Sequence, residues 1–215
     1  MNILGFLISI VCRLIAITGH EVAHGFVSDK LGDPTPRREG RLSFNPLAHL
    51  DLTGTLLMLL TGFGWAKPVA VDPRYYRDTK KGMALVAVAG PLSNLIMAFL
   101  GLLIYAIFFV INVKTGAFTS LTGFLQTFSM YFAQTNLCFM VFNLIPIPPL
   151  DGSRILGMFL SNRSYYKLLQ YERYSMILIM VLSLTGAFSK IIGTGVGFVF
   201  NGIINLLNVF VRMAL

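Results

Sequence analysis

Long uncharged runs separated by short clusters of glycine, proline and basic residues dominate the chain. No Asp, Glu, Lys or Arg occurs between Lys81 and Lys114, nor between Lys114 and Asp151. Each run exceeds the ~18–20 residues that cross a ~30 Å hydrocarbon core, so each predicts a membrane span. Helix 1 is predicted over 3–28, and "KLGDPTPRREG" (30–40) stops it with glycine, proline and charge. Helices 2 and 3 are predicted over 83–112 and 120–145. A proline-broken stretch follows, "NLIPIPPLDGSRIL" (143–156), then a basic amphipathic connector to about Arg173. Residues 174–189 and 191–211 predict a short helical pair, with Gly193, Gly195 and Gly197 loosening the start of the last helix.

Residues 41–71 read differently. They are moderately apolar but punctured by Pro46, Gly54, Gly62, Gly64 and Pro68. The apolar core, 52–64, is too short to span, so it is expected to dip into the membrane or lie at its interface. Short strands are expected beside it at 40–45 and 67–71. The predicted architecture is an all-α polytopic membrane protein with about five transmembrane helices plus this membrane-dipping segment with short β strands. No long repeat and no linker interrupts the chain, which reads as one domain over 1–215. Its core covers 1–160 and the C-terminal helical pair 171–213.

Composition supports the membrane reading. The chain of 215 residues is 55% hydrophobic and only 12% charged, with mean hydropathy +0.73. A soluble domain carries about twice that share of charge. The net charge of +8 comes without a basic patch interleaved with aromatics, so no nucleic-acid partner is expected. The basic residues set topology instead. With a dip at 41–71, segments 29–82 and 151–173 lie on one side and hold nine and four Lys/Arg. The opposite side holds Lys114 and Lys190, so the heavy side faces the cytoplasm. Cys12 and Cys138 lie in apolar stretches without CxxC spacing and read as small core residues. No small-residue cleavage site follows the first apolar run, so it is expected to remain as a span.

Against that background "TGHEVAHGF" (18–26) is out of place. It sets two of the three histidines and one of the three glutamates inside a lipid-facing helix. Ionisable groups in hydrocarbon persist where something pairs with them. His20-Glu21-Val22-Ala23-His24 is an HExxH motif. At 3.6 residues per turn its histidines stand one turn apart on one face, able to grip one metal ion. Glu21 beside them is placed to take a proton from an attacking water. The bland reading is a structural polar cluster buried between helices.

A catalytic zinc takes three protein ligands and leaves one position open. The candidates for the third are His49, Asp51 and Asp151, with Asp29, Asp33 and Glu172 behind them. Asp151 fits best, because topology puts it and the histidines at the same depth on the cytoplasmic side. The prolines at 146, 148 and 149 break the backbone there, as a polar cavity at membrane depth allows. Asn143, at the end of helix 3, offers an amide to the oxyanion of peptide hydrolysis, or else caps a broken helix end. Asn94, in "AGPLSN" (89–94), is a second donor candidate, and Gly90 beside it permits close helix approach. His49 and Asp51 are candidates to contact substrate or the primary ligands. Arg13, about 10 Å deeper on the helix 1 face, reads as a snorkelling or pairing residue.

The stretches "HEVAH", "GRLSFNPLAHLD", "GWAKPV", "AGPLSN" and "NLIPIPPLDG" resemble, in order, the motifs of the site-2 proteases, membrane-embedded zinc metalloproteases. HExxH alone is shared by many metalloproteases. HExxH followed by NxxPxPxxDG in apolar helices is far more specific, and the likeness runs from helix 1 past Asp151. The resemblance implies one Zn2+ per chain on His20, His24 and Asp151, with Glu21 as general base and Asn143 near the oxyanion. It implies cleavage within transmembrane segments of membrane-protein substrates, commonly in regulated intramembrane proteolysis. At 215 residues the chain is expected to lack the PDZ domain that some members carry. A prokaryotic cell membrane is the expected location.

Two other readings compete. A zinc-transporting or metal-binding membrane protein would use the same ligands as a transit site, but no second cluster exists to receive the ion. A catalytically idle scaffold would have no use for Glu21.

Overall fold

The computed structural model describes residues 3–54, 56, 67–116 and 118–215. Its long elements are helices: α1 (Ile3–Lys30), α2 (Thr79–Thr115), α3 (Ser120–Asn143), α4 (Asp151–Gly157), α5 (Asn162–Gln170), α6 (Glu172–Leu184) and α7 (Ala187–Ala214). Three of them, Ile3–Lys30, Thr79–Thr115 and Ala187–Met213, are long and apolar enough to cross a membrane. The protein is a helical membrane protein.

Helix α2 starts four residues before the predicted 83. Asp78 accepts the backbone N–H of Lys81 at 3.1 Å, a side-chain cap on the first turn. The helix then continues through Pro91, as spans do where other groups re-engage the freed backbone. The carbonyl that Pro91 leaves without its N–H is that of Ala87, and on the neighbouring turn Ser93 Oγ donates to the Gly90 carbonyl at 2.7 Å. The last two helices are parted by Gly186, whose φ of 72° ends the run. Helix α7 is continuous through Gly193, Gly195 and Gly197, so these glycines do not loosen its start.

Among the described residues, 40–45 and 67–71 pair in no ladder, and Leu50 alone makes an isolated bridge. Arg41 occupies the carbonyls of Ala48 and Pro68, the latter at 2.9 Å, so these stretches are joined through a guanidinium. The predicted dip at 52–64 falls largely outside the described residues.

The chain divides into two compact units. One comprises Met1–Ala16, Asn94–Phe142 and Ile177–Leu215. Its core packs Ala98 and Leu102 of α2 against Ala133, Leu137 and Met140 of α3 and Ile203 and Leu207 of α7. Small residues bring α2 and α3 together, since a Cβ at Gly101 would lie 3.1 Å from Ser129 O and 3.2 Å from Ala133 Cβ. Asn94 is fully buried in this unit and donates to Ala16 O at 3.2 Å and to Asn136 Oδ1 at 2.9 Å. Asn136 in turn donates to Phe132 O.

The other unit comprises Ile17–Ser93 and Asn143–Met176. Tyr76, Met83 and Val86 form its apolar core with Val27, Leu31 and Val71 packed on it. A buried carboxylate ties the end of α1 to the segment before α2. Asp33 accepts from Ser28 Oγ at 2.7 Å, from Thr35 N at 2.9 Å and from Asp72 N at 2.7 Å.

Candidate metal centre

The second unit gathers three of the predicted ligands. The HExxH stretch lies in the C-terminal half of α1, where 3.6 residues per turn stack His20 and His24. Asp151 arrives from the chain that follows α3. The helix ends at Asn143, the prolines forbid its continuation, and α4 starts on Asp151 itself. Gly152 is what lets this segment fold back. A Cβ there would stand 2.2 Å from the carbonyl oxygen of Leu144.

The ligand atoms of His20, His24 and Asp151 lie within 4.8 Å of one another. The two Nε2 atoms are 3.0 Å apart, and Asp151 Oδ2 stands 3.2 and 3.3 Å from them. The side chains are enclosed, at 8%, 12% and 14% exposure. His24 Nδ1 lies 2.7 Å from the Val86 carbonyl, which only accepts, so the proton sits on Nδ1. His24 Nε2 therefore presents a lone pair to the centre, and Asp151 Oδ2 is buried there without a hydrogen bond. One negative charge and converging lone pairs call for a cation.

The triangle also has the right size. Zinc bonds of about 2.0–2.1 Å in a tetrahedron set ligand atoms about 3.3 Å apart. Two imidazoles and a carboxylate are ligands that zinc takes, with one position left open. The residues fit.

Helix α2 closes the back of the site with its main chain. A Cβ at Gly90 would lie 2.5 Å from both His20 Cε1 and His24 Nε2. Glycine is the residue that leaves room for both rings. Glu21, next to His20, points its carboxylate at another backbone group: Oε2 accepts the N–H of Val69 at 2.9 Å. Asn143 belongs to the same unit, at the last position of α3.

The other predicted residues are engaged elsewhere. His49 is fully buried and hydrogen-bonds Ser43 O through Nε2 at 2.8 Å. Asp51 accepts the Gly54 N–H at 2.8 Å. Asn94 sits in the first unit, between the backbone of α1 and Asn136. The groups that sequence reading missed are the Val86 carbonyl and the Val69 N–H. Gly90 and "KPV" lie inside the recognised motifs, which is the one signal that marks their neighbourhood.

The comparisons with known proteins agree with this chemistry. The family model of peptidase family M50 matches residues 7–187. The chain is 40% identical over 176 residues to "Putative zinc metalloprotease YwhC" of Bacillus subtilis, covering 82% of this chain and 80% of that one. It is 32% identical over 157 residues to "Putative zinc metalloprotease MJ0611" of Methanocaldococcus jannaschii, covering 72% of each. It is 28% identical over 191 residues to "Putative zinc metalloprotease Rip2" of Mycolicibacterium smegmatis, covering 86% of this chain and 70% of the relative. No solved structure matches. The chain belongs to peptidase family M50, the site-2 protease family whose motifs it carries.

Proposed function

We propose that the protein is a zinc-dependent intramembrane endopeptidase that hydrolyses peptide bonds within or beside transmembrane segments of other membrane proteins. The observation that carries this reading is the His20–His24–Asp151 triangle, with edges of 3.0, 3.2 and 3.3 Å, beside Glu21. Zinc held there supplies a Lewis acid that acidifies water and polarises a peptide carbonyl. Glu21 takes the proton of the attacking water and returns it to the leaving amine. Asn143 donates its amide to the oxyanion. His49 and Asp51 act through the backbone they hold, and Asn94 through helix packing.

The whole chain works as one catalytic domain with about five transmembrane helices and a membrane-dipping segment. Thirteen Lys/Arg in 29–82 and 151–173, against two opposite, support an active site toward the cytoplasm of a prokaryotic cell. A helical substrate hides its carbonyls and must unwind locally. Residues 67–71 pass Glu21 with Ala70 exposed beside buried Val69, which suits them to pair with an extended substrate. Strand geometry then forms on substrate binding. Signalling by regulated intramembrane proteolysis is the biological setting this chemistry suits.

The test uses purified protein in detergent with a single-span reporter substrate. A chelator should abolish cleavage, zinc should restore it, and the cut should map within or next to the span. Bound zinc without cleavage, together with zinc flux across liposomes, would replace the protease with a transporter.

A further inference from the structure

Arg41 is 4% exposed although it sits in a polar loop, and its guanidinium is spent on main chain. It donates to Ala48 O, to Pro68 O at 2.9 Å and, more weakly, to Lys67 O at 3.5 Å. Glu39, half exposed, approaches only to 4.0 Å. A buried charge of this kind is costly, and here backbone carbonyls rather than a close carboxylate offset it. The same loop grips the same segment a second time, because Lys67 N donates to His49 O at 2.9 Å. Residues 41–49 thus fix the peptide units of Lys67 and Pro68 from two directions. The next N–H along the chain, that of Val69, is the one on Glu21 Oε2.

We infer that Arg41 is a positioning residue for catalysis, aiming the general base through the backbone of residues 67–69. A glutamate has three side-chain torsions to settle, and a general base works only within hydrogen-bond reach of its proton. With Oε2 held by Val69, the second oxygen is the one left to meet water. The relay is made of peptide geometry, so it carries no charge change and leaves the ligand triangle untouched. It rests on the assignment of Glu21 as base.

The test is a kinetic split on the full chain in detergent, with zinc content measured on every sample. Arg41→Met should keep zinc near one per chain and KM within about threefold, while kcat falls about 10–100-fold. Val69→Pro, which deletes the single N–H, should show the same loss. Combining the two should cost no more than either alone, since they break one relay. Val69→Ala keeps the N–H and should retain at least about tenfold more kcat than Val69→Pro. In zinc-free protein, exchange of the Val69 amide should speed up about tenfold or more in both Arg41→Met and Glu21→Ala.

Native kcat in zinc-loaded Arg41→Met or Val69→Pro would overturn the inference, as would losses that multiply or a Val69 amide indifferent to Glu21. If Arg41→Met loses zinc or aggregates, Val69→Pro decides on kcat at unchanged KM, because lost pairing of substrate with 67–71 would raise KM instead. A Glu21→Gln protein that still cleaves would instead sink the base assignment beneath it.

Discussion

His24 Nδ1 donates to the carbonyl oxygen of Val86 at 2.7 Å, so a main-chain group of α2 sets the tautomer of a ligand on α1. Such outer-shell bonds orient a histidine and raise its basicity toward the metal. One turn further along α2, Gly90 lies against both imidazoles. The metal centre therefore depends on a helix that contributes no ligand to it.

Gly90→Ala should weaken zinc binding about 10–100-fold, because the new Cβ displaces the rings that the Val86 bond orients. Chelator competition on the purified variant measures this. Native zinc affinity would show that α2 can shift away at no cost to the site.

Asp151→Ala should cost more than an outer-shell change, beyond about 100-fold in zinc affinity, since it removes a ligand outright. Metal analysis after dialysis reads the result. Near-native zinc in this variant would send the search for a third ligand elsewhere.

The buried Asn94–Asn136 pair predicts a stability effect. A double-mutant cycle with leucine at both positions should give a coupling of about 0.5–1.7 kcal/mol, the range of hydrogen bonds between membrane helices. Thermal unfolding in detergent checks it. No coupling, with a raised KM in Asn94→Leu, would mean that Asn94 meets substrate.

Asp33 predicts the acid limb of stability. Burial pushes its carboxyl upward, but donors from Thr35, Asp72 and Ser28 outweigh that and hold it below the ordinary 3.8. The folded value thus lies below the unfolded one, so the ionised form stabilises the fold. That contribution is complete above about pH 4 and fades as pH falls through the folded value. Asp33→Asn should be less stable at neutral pH and lose less than the native chain below about pH 4. Parallel unfolding curves would contradict this.

The legible part of the site was its side-chain chemistry. HExxH and the Asp-Gly after three prolines announce themselves, because few residues bind metal and membrane spans carry few of them. Val86 O and Val69 N–H were illegible for the opposite reason: every residue but proline carries both groups, so no residue type marks the ones that are used. The stretches 40–45 and 67–71 read as strands by pattern, yet the bond that joins them runs from the Arg41 guanidinium to Pro68 O, side chain to backbone. Helix α2 began earlier than its hydropathy indicated because Asp78 caps a first turn made of polar residues. Pattern finds apolar faces, and capping and side-chain bridges are decided by contacts between distant residues.

On the proposed function, a zinc ion and Glu21 act together on a peptide bond. Bound zinc and cleavage of a single-span substrate should be recorded on the same samples of the native chain and Glu21→Gln. About one zinc per chain is expected in both, with cleavage reduced about 10²–10⁴-fold in the variant. Cleavage surviving in zinc-loaded Glu21→Gln, or no zinc in either protein, would contradict it.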